Sequence, residues 1–407
     1  MSGKLLTVPP LSESVTVRRS HSTSHPRRHR GWLTAAMFGI AFIEVAAAAP
    51  YIPRDDAEVL AEVTPGTAHV SASVLQLTRK RLDVALPLAQ FYITRSRATG
   101  DLRFLGYAEA TLAPWLNQSP PLPAALVLHA TILQSRHSFA ASLQELDRAV
   151  AAQPDNAQAW LTRATVLQVS GQYAEAMTSC DHLESTTESA VTKLCKESLR
   201  SLTGHLTSAY AAISSLQSQE LPQTVRAWRY SELGEMGERL GRDVEAEHWL
   251  TEGLQYAHDD LYIRAAYADL LLRHGRDTEA LQLLSEYRSM EPMLLRVAIA
   301  EKRTGARQAA ATDTLLWNAF TVEAQRGDAV HRREQARFLL DVEKQPEQAL
   351  LAAEENWRVQ REPDDALILL RSAAAAHRPD RAAAVLQFLR RTRLEDVRLN
   401  PYLEALK

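Results

Sequence analysis

A chain of 407 residues with 46% apolar and 6% aromatic side chains has enough material to bury a large core. The formal charge is −3, and residues 1–48 hold a net +4, so residues 49–407 stand at −7. An acidic body lacks the excess of Lys and Arg that neutralises phosphate backbones, which argues against general nucleic-acid binding. Ala and Leu are abundant, Gly and Pro are sparse, and long Val/Ile/Thr alternations are missing, a helical composition.

In chain order, the first feature is an address. Residues 1–31 are polar and basic, Trp32 through Ile43 are almost uniformly apolar, and small residues run from Ala46 to Ala49 before Pro50. A positive flank, a short apolar core and an Ala-x-Ala site make a secretory signal. A membrane span needs roughly 20 apolar residues, and Glu44 interrupts this run. Residues 1–49 are therefore expected to be a signal peptide cleaved after Ala48 or Ala49, placing the protein in the periplasm or otherwise outside the cytoplasm. The alternative is an uncleaved inner-membrane anchor through residues 32–49. His21, His25 and His29 recur every four residues, but no carboxylate or Cys accompanies them as a further metal ligand. Residues 50–81 are expected to form an arm followed by a helix.

From residue 82 onward the chain repeats. Ala130 and Ala164 are 34 residues apart, as are His137 and Gly171, and Phe139 and Tyr173; Gly204, Gly241 and Gly275 continue the beat at intervals of 33, 37 and 34. Such a period marks an array of supersecondary units, each unable to bury its faces alone. Apolar residues three and four apart predict two amphipathic helices per unit. Small residues at Ala164 and Ala176 suit a tight crossing, glycines suit left-handed caps, and Asp155-Asn156 after Pro154 supplies an N-cap.

The unit from Ala157 resembles a tetratricopeptide repeat, with Trp160, Ala164, Leu167, Gly171, Tyr173 and Ala176 at the family's signature spacing. Tyr267, Ala268, Leu271, Gly275 and Ala280 repeat much of it, and Leu233, Gly234, Gly241 and Ala246 do so between. The resemblance implies an all-α, right-handed superhelical solenoid of antiparallel helix pairs. It covers residues 82–290, becomes degenerate over 291–345, and returns over 346–407 with a capping helix at the end. Residues 82–115 resemble a unit widened around Arg97–Phe104. The tryptophans Trp115, Trp160, Trp228, Trp249, Trp317 and Trp357 are expected as wedges between helices.

In this family the first helix of each pair lines a concave groove. By resemblance the exposed groove positions are Thr131, Gln134, Thr165 and Gln168, then Glu235, Glu238, Arg239, Asp269 and Arg273, so the groove would run from neutral to charged. Cys180 and Cys195 are equidistant from the polar turn Glu184–Ser189, so an antiparallel hairpin would hold them at one height. A disulfide is expected in an oxidising compartment, and two buried free thiols are the alternative.

The sequence holds no His-Glu-x-x-His, Gly-x-Ser-x-Gly, phosphate loop or Cys-x-x-Cys. The expectation is a non-enzymatic scaffold without cofactor or metal, binding an unidentified protein or peptide in the cell envelope. The alternatives are an accessory or catalytic subunit of an envelope enzyme, with a site in 291–345, and a homo-oligomeric adaptor.

Overall fold

The structure, a computed structural model, describes residues 72–406 apart from 188, 218–220, 222, 289 and 327–330. The expected signal segment 1–49 and most of the arm 50–81 lie outside the described residues. Within them the chain is helical, and no helix is long and apolar enough to cross a membrane.

A short α1 (Ala72–Thr78) precedes α2 (Leu82–Thr99) and α3 (Arg103–Leu116). Then follow α4 (Pro123–Ser135) with α5 (Phe139–Ala152), and α6 (Ala157–Val169) with α7 (Tyr173–Asp181). The next pairs are α8 (Ser189–Arg200) with α9 (Leu206–Ser214), and α10 (Gln223–Arg239) with α11 (Asp243–Tyr256). After them come α12 (Leu261–Arg273) with α13 (Asp277–Leu283), and α14 (Glu291–Thr304) with α15 (Ala309–Arg326). The chain closes with α16 (Arg332–Asp341) and α17 (Pro346–Val359), α18 (Pro363–Ala375) and α19 (Ala383–Thr392), and α20 (Asn400–Ala405). Of the residues around Arg97–Phe104, expected as an insertion, 97–99 extend α2 to 18 residues, Gly100 caps it, and 100–102 make the short turn to α3.

Local chemistry sets these boundaries. The Asn156 side chain accepts a hydrogen bond from the Ala159 amide at the start of α6, and Asp260 does the same for Tyr262 and Ile263 in α12. His137 holds the left-handed conformation (φ 58°) at the turn where Gly171 (φ 74°) stands one unit later. Within pairs the crossings are tight. The Ser142 hydroxyl of α5 donates to the Ala130 carbonyl of α4 at 2.8 Å, a closeness that only small residues permit. Cys180 and Cys195 are bonded, with Cα atoms 5.8 Å apart, tying α7 to α8 across the 3-10 turn His182–Ser185. Both lie in the largest core cluster.

The first helices of successive pairs, α2, α4 and so on to α20, stand side by side as one continuous wall. This array is an all-α helical solenoid, and it is wound tightly. Five pairs after α2 the chain returns, and α12 rests on α2. From there the later pairs stack along one edge of the earlier ones. The Arg361 amide donates to the Val169 carbonyl at 2.8 Å, and the Tyr173 hydroxyl donates to the Arg361 carbonyl at 3.2 Å. The Leu206 amide donates to Glu395 at 2.7 Å. The Tyr173, Trp357 and Phe388 rings pack together, and a single core cluster joins residues of 157–236 with residues of 336–399. Trp228 and Trp357 are buried wedges as expected, but Trp317 is 38% exposed. Its helix, α15, packs chiefly on α14, and the Trp317 ring meets Phe338 of α16 edge-on at 5.6 Å.

The contact between turns bears on Gly171. Its φ of +74° disfavours any side chain, and an added Cβ would lie 2.9 Å from Phe388 Cε2 and 3.0 Å from Arg361 Cδ. Gly275 has a similar φ of +69° but nothing within 4 Å. Gly275→Ala is expected to cost only the backbone penalty, about 1–2 kcal/mol. Gly171→Ala should add the overlap against a buried ring, about 1–3 kcal/mol more. Urea unfolding of the two variants measures the difference; equal costs would mean that the turns of the coil do not press together at Phe388.

Candidate functional site: an ion-paired cavity inside the coil

Winding the solenoid onto itself leaves a cavity of about 1040 Å³. One wall comes from α10, α12 and α14, the other from α16, α18 and the segment 398–402, and the end of α2 closes a side with Thr94, Arg97 and Ala98. Leu261, Leu272, Met293, Ile299 and Ile368 give it an apolar lining. His258 and Asp259, both exposed, stand at its mouth in the turn between α11 and α12.

Nine arginines and nine acidic residues line it. Asp269 of α12 is gripped from both sides, by Arg296 of α14 at 2.6 Å and by Arg337 of α16 at 2.8 and 3.1 Å. Burial opposes the charge on Asp269, but Arg296 and Arg337 outweigh it and hold the carboxyl below the ordinary range. Glu238 of α10 pairs with Arg273 and with Arg398, each at 3.1 Å. There burial prevails over the two arginines and raises the carboxyl. Arg239, 3% exposed, donates to the Ser201 hydroxyl at 2.7 Å and to its carbonyl at 3.2 Å. Arg371 pairs with Asp341 at 2.5 Å.

The start of α18 organises the second wall. The Glu362 amide donates to Asp365 at 2.8 Å in a capping box, and Arg333 pairs with Glu362 at 3.2 Å and Asp365 at 3.3 Å. Asp364, between them in sequence, points into the cavity instead. Its side chain is 56% exposed and pairs with Arg398 at 3.0 Å. Its place inside the coil costs it hydration and would raise its pKa although half the side chain meets the lumen, but Arg398, Arg333, Arg337 and Arg273 together bring it down to about 2.

The structure thus gathers Glu235, Glu238, Arg239, Asp269 and Arg273 around one cavity, but Glu238 and Arg239, expected as exposed, are only 7 and 3% exposed, the first held between Arg273 and Arg398 and the second bonded to Ser201. Thr131, Gln134, Thr165 and Gln168 are not among its lining residues, and they are not exposed groove positions either. Their exposures are 8, 2, 7 and 9%. The Thr131 and Thr165 hydroxyls turn back to the Val127 and Leu161 carbonyls, and the next turn of the coil closes over the end of α6 through Arg361. Sequence reasoning missed Arg333, Arg337, Arg398 and Asp364. Arg333 and Arg337, four apart on one helix face, were a signal in the sequence; nothing in it paired them with Asp269 or Glu362.

No family model matches the chain, and no curated protein matches it in sequence. Among solved structures, the Cut9–Hcn1 hetero-tetramer of the APC/C aligns over 81% of this chain and 64% of its own, at 15% identity and a TM-score of 0.50. The solenoid is tetratricopeptide-like. A thermophilic TPR protein of Thermus thermophilus aligns over 47% of this chain and 100% of its own, at 21% identity and a TM-score of 0.38. A human IFIT1 dimer with PPP-AAAA aligns over 76% and 73%, at 14% identity and a TM-score of 0.45. Among the described residues of this tetratricopeptide-like coil, no group of three or more His, Cys, Asp or Glu is placed to hold a metal ion.

Removing the doubly gripped carboxylate would leave two guanidinium groups facing each other. Asp269→Ala is expected to cost about 1–3 kcal/mol, the usual loss of charged hydrogen bonds in a partly buried place where Arg296 and Arg337 keep Glu334, Asp341 and Asp364 nearby, read from thermal or urea unfolding. The acids with depressed pKa also set a pH dependence. Asp269 and Asp364 favour the folded state at pH values above the ordinary carboxylate range near 4. That contribution should fade as pH falls through the folded values, about 2 for Asp364. The urea midpoint should therefore decline between pH 4 and pH 2, and less steeply in Asp364→Asn.

Proposed function

We propose that this protein is a binding scaffold that holds a segment of another exported protein inside its coil. The observation that carries the reading is the cavity. At about 1040 Å³ it lies at the top of the range for small-ligand sites, about 300–1,000 Å³. It opens at an exposed turn, and it offers both an apolar lining and charged groups from distant stretches of chain. A peptide presents just that mixture of apolar and polar surface. The tetratricopeptide-like fold supports a protein partner over a chemical reaction, since the cavity's ionisable groups are occupied with one another in ion pairs.

The cellular setting is part of the proposal. The basic flank, the apolar run from Trp32 and the small residues before Pro50 support export, with cleavage or retention as an anchor as the two outcomes. The Cys180–Cys195 bridge is consistent with an oxidising compartment.

Ala266 lines the cavity on α12 and is only partly buried. Ala266→Trp is expected to fill space without breaking an ion pair. In cells, crosslinked capture with the wild-type chain and with Ala266→Trp should differ by loss of the specific partner. A partner retained at full yield in a folded variant would place binding elsewhere. Fractionation of the same cells, with the intact mass of the non-reduced protein, addresses export. The expected result is a chain lacking about the first 49 residues with no free thiol, and a full-length cytoplasmic chain with two free thiols would refute it.

A further inference from the structure

Resting on the reading of the cavity as a peptide site, we infer that the segment it holds is uncharged and carries proline, and that Tyr256, Tyr262 and Tyr402 receive its main chain. The charges of the lining select a guest of neither sign. Nine arginines stand against nine acids, and every one of them has a partner within the protein. Asp277 and Arg303 are 3.2 Å apart, and the Asp260 carboxylate accepts from the Tyr262 and Ile263 amides. A charged guest side chain would have to displace one of these partners, or stay unpaired in a lining with no net attraction for it, and either is costly.

What the lining leaves free is different in kind. Tyr256 ends α11 and Tyr262 lies in the first turn of α12, so the two flank the turn at the mouth, while Tyr402, in α20, stands on the opposite wall. All three are partly buried, and their hydroxyls hydrogen-bond to none of the described residues. Glu238 Oε1 also lacks a hydrogen bond, but it is sealed from the lumen. Arg226 lies over the Tyr256 ring at 5.4 Å and steadies it.

A phenol can donate one hydrogen bond to a main-chain carbonyl. An ordinary segment brings an amide N–H with each carbonyl, and those donors would need acceptors that the carboxylates, already engaged, do not supply. Each proline removes one such donor and leaves its carbonyl for a phenol. The proline ring packs on an aromatic face, and its fixed φ reduces the entropy lost on binding.

The test uses the full chain and fluorescently labelled short peptides with blocked ends. One alternates proline and leucine, one has alanines in place of the prolines, and two keep the prolines but carry glutamates or lysines in place of the leucines. Fluorescence anisotropy should show the uncharged proline peptide bound about tenfold more tightly than the other three, with little change as salt rises. Tyr256→Phe and Tyr262→Phe each keep the ring and remove the donor, and each should weaken that binding about threefold to tenfold, the loss of one hydrogen bond. Thermal unfolding checks that the variants are folded; if neither folds, the peptide series still decides. Any of the other three peptides bound as tightly, no peptide bound, or binding unchanged in both phenylalanine variants would each overturn the preference for proline. The Ala266→Trp variant separates the two claims. If it blocks an alanine or charged peptide that the wild type prefers, the cavity stands and its preference for proline falls; if it leaves every bound peptide as before, the site itself is wrong.

Discussion

A pair of amphipathic helices has more apolar surface than its two members can cover for each other. In this chain every pair passes that debt to the next, and the coil settles it by closing on itself. Because α12 comes back to α2 after five pairs, the later units cover the edge of the earlier ones, and one core cluster runs from Ala157 to Leu399. The close approach at Gly171, where Phe388 and Arg361 press on the turn, depends on this winding. So does the burial of Thr165 and Gln168, which a more open ribbon would leave wet. Burial of this kind scales with apolar area and has no direction of its own. The ring contacts and backbone hydrogen bonds at Tyr173, Val169 and Leu206 fix the register in which the turns meet.

Closure has an electrostatic consequence. Charged residues on the inner helices cannot stay fully hydrated once the coil is complete, and an unpaired charge in such a place is costly. The chain meets this by pairing across turns. Asp269 reaches Arg337, 68 positions away, and Glu238 reaches Arg398, 160 positions away. Such pairs add little net stability compared with apolar packing of the same volume. Their effect is specificity: a coil with a different pitch would leave these groups without partners. The same pairing shapes the cavity, where neither sign is uniformly covered: Asp364 and Asp269 keep 56 and 25% of their side-chain surface against 11% for Arg398 and 9% for Arg296, while Arg273 keeps 30% against 9% for Glu238.

How much of this was legible beforehand differs by level. The helix pairs could be read because their determinants are local: apolar residues three and four apart, small residues at Ala130 and Ala164, and left-handed turns at His137 and Gly171, all recurring at the same interval. The hairpin that joins Cys180 to Cys195 could be read for the same reason, since two residues equidistant from a turn meet whatever lies beyond. Glu235, Glu238, Arg239, Asp269 and Arg273 were placed on the inner side of their helices by the tetratricopeptide resemblance, and all five line the cavity. The exposure assigned to Thr131, Gln134, Thr165, Gln168, Glu238 and Arg239 was wrong, because the resemblance gives the side of a helix and says nothing of what stands opposite. Trp317 is wedged on one side only: its ring meets Phe338 of α16 edge-on, and 38% of the residue stays exposed.

By itself the sequence determined the helices, their pairing and the wall they build, because each rests on interactions between residues within one or two units of each other. The tertiary structure decided the pitch of the coil, and with it whether the inner wall is an open groove or an enclosed, ion-paired chamber. Pitch is the sum of small rotations between successive pairs. No single residue encodes it, and only the meeting of Gly171 with Phe388, or of Asp269 with Arg337, reveals where that sum brings the chain back.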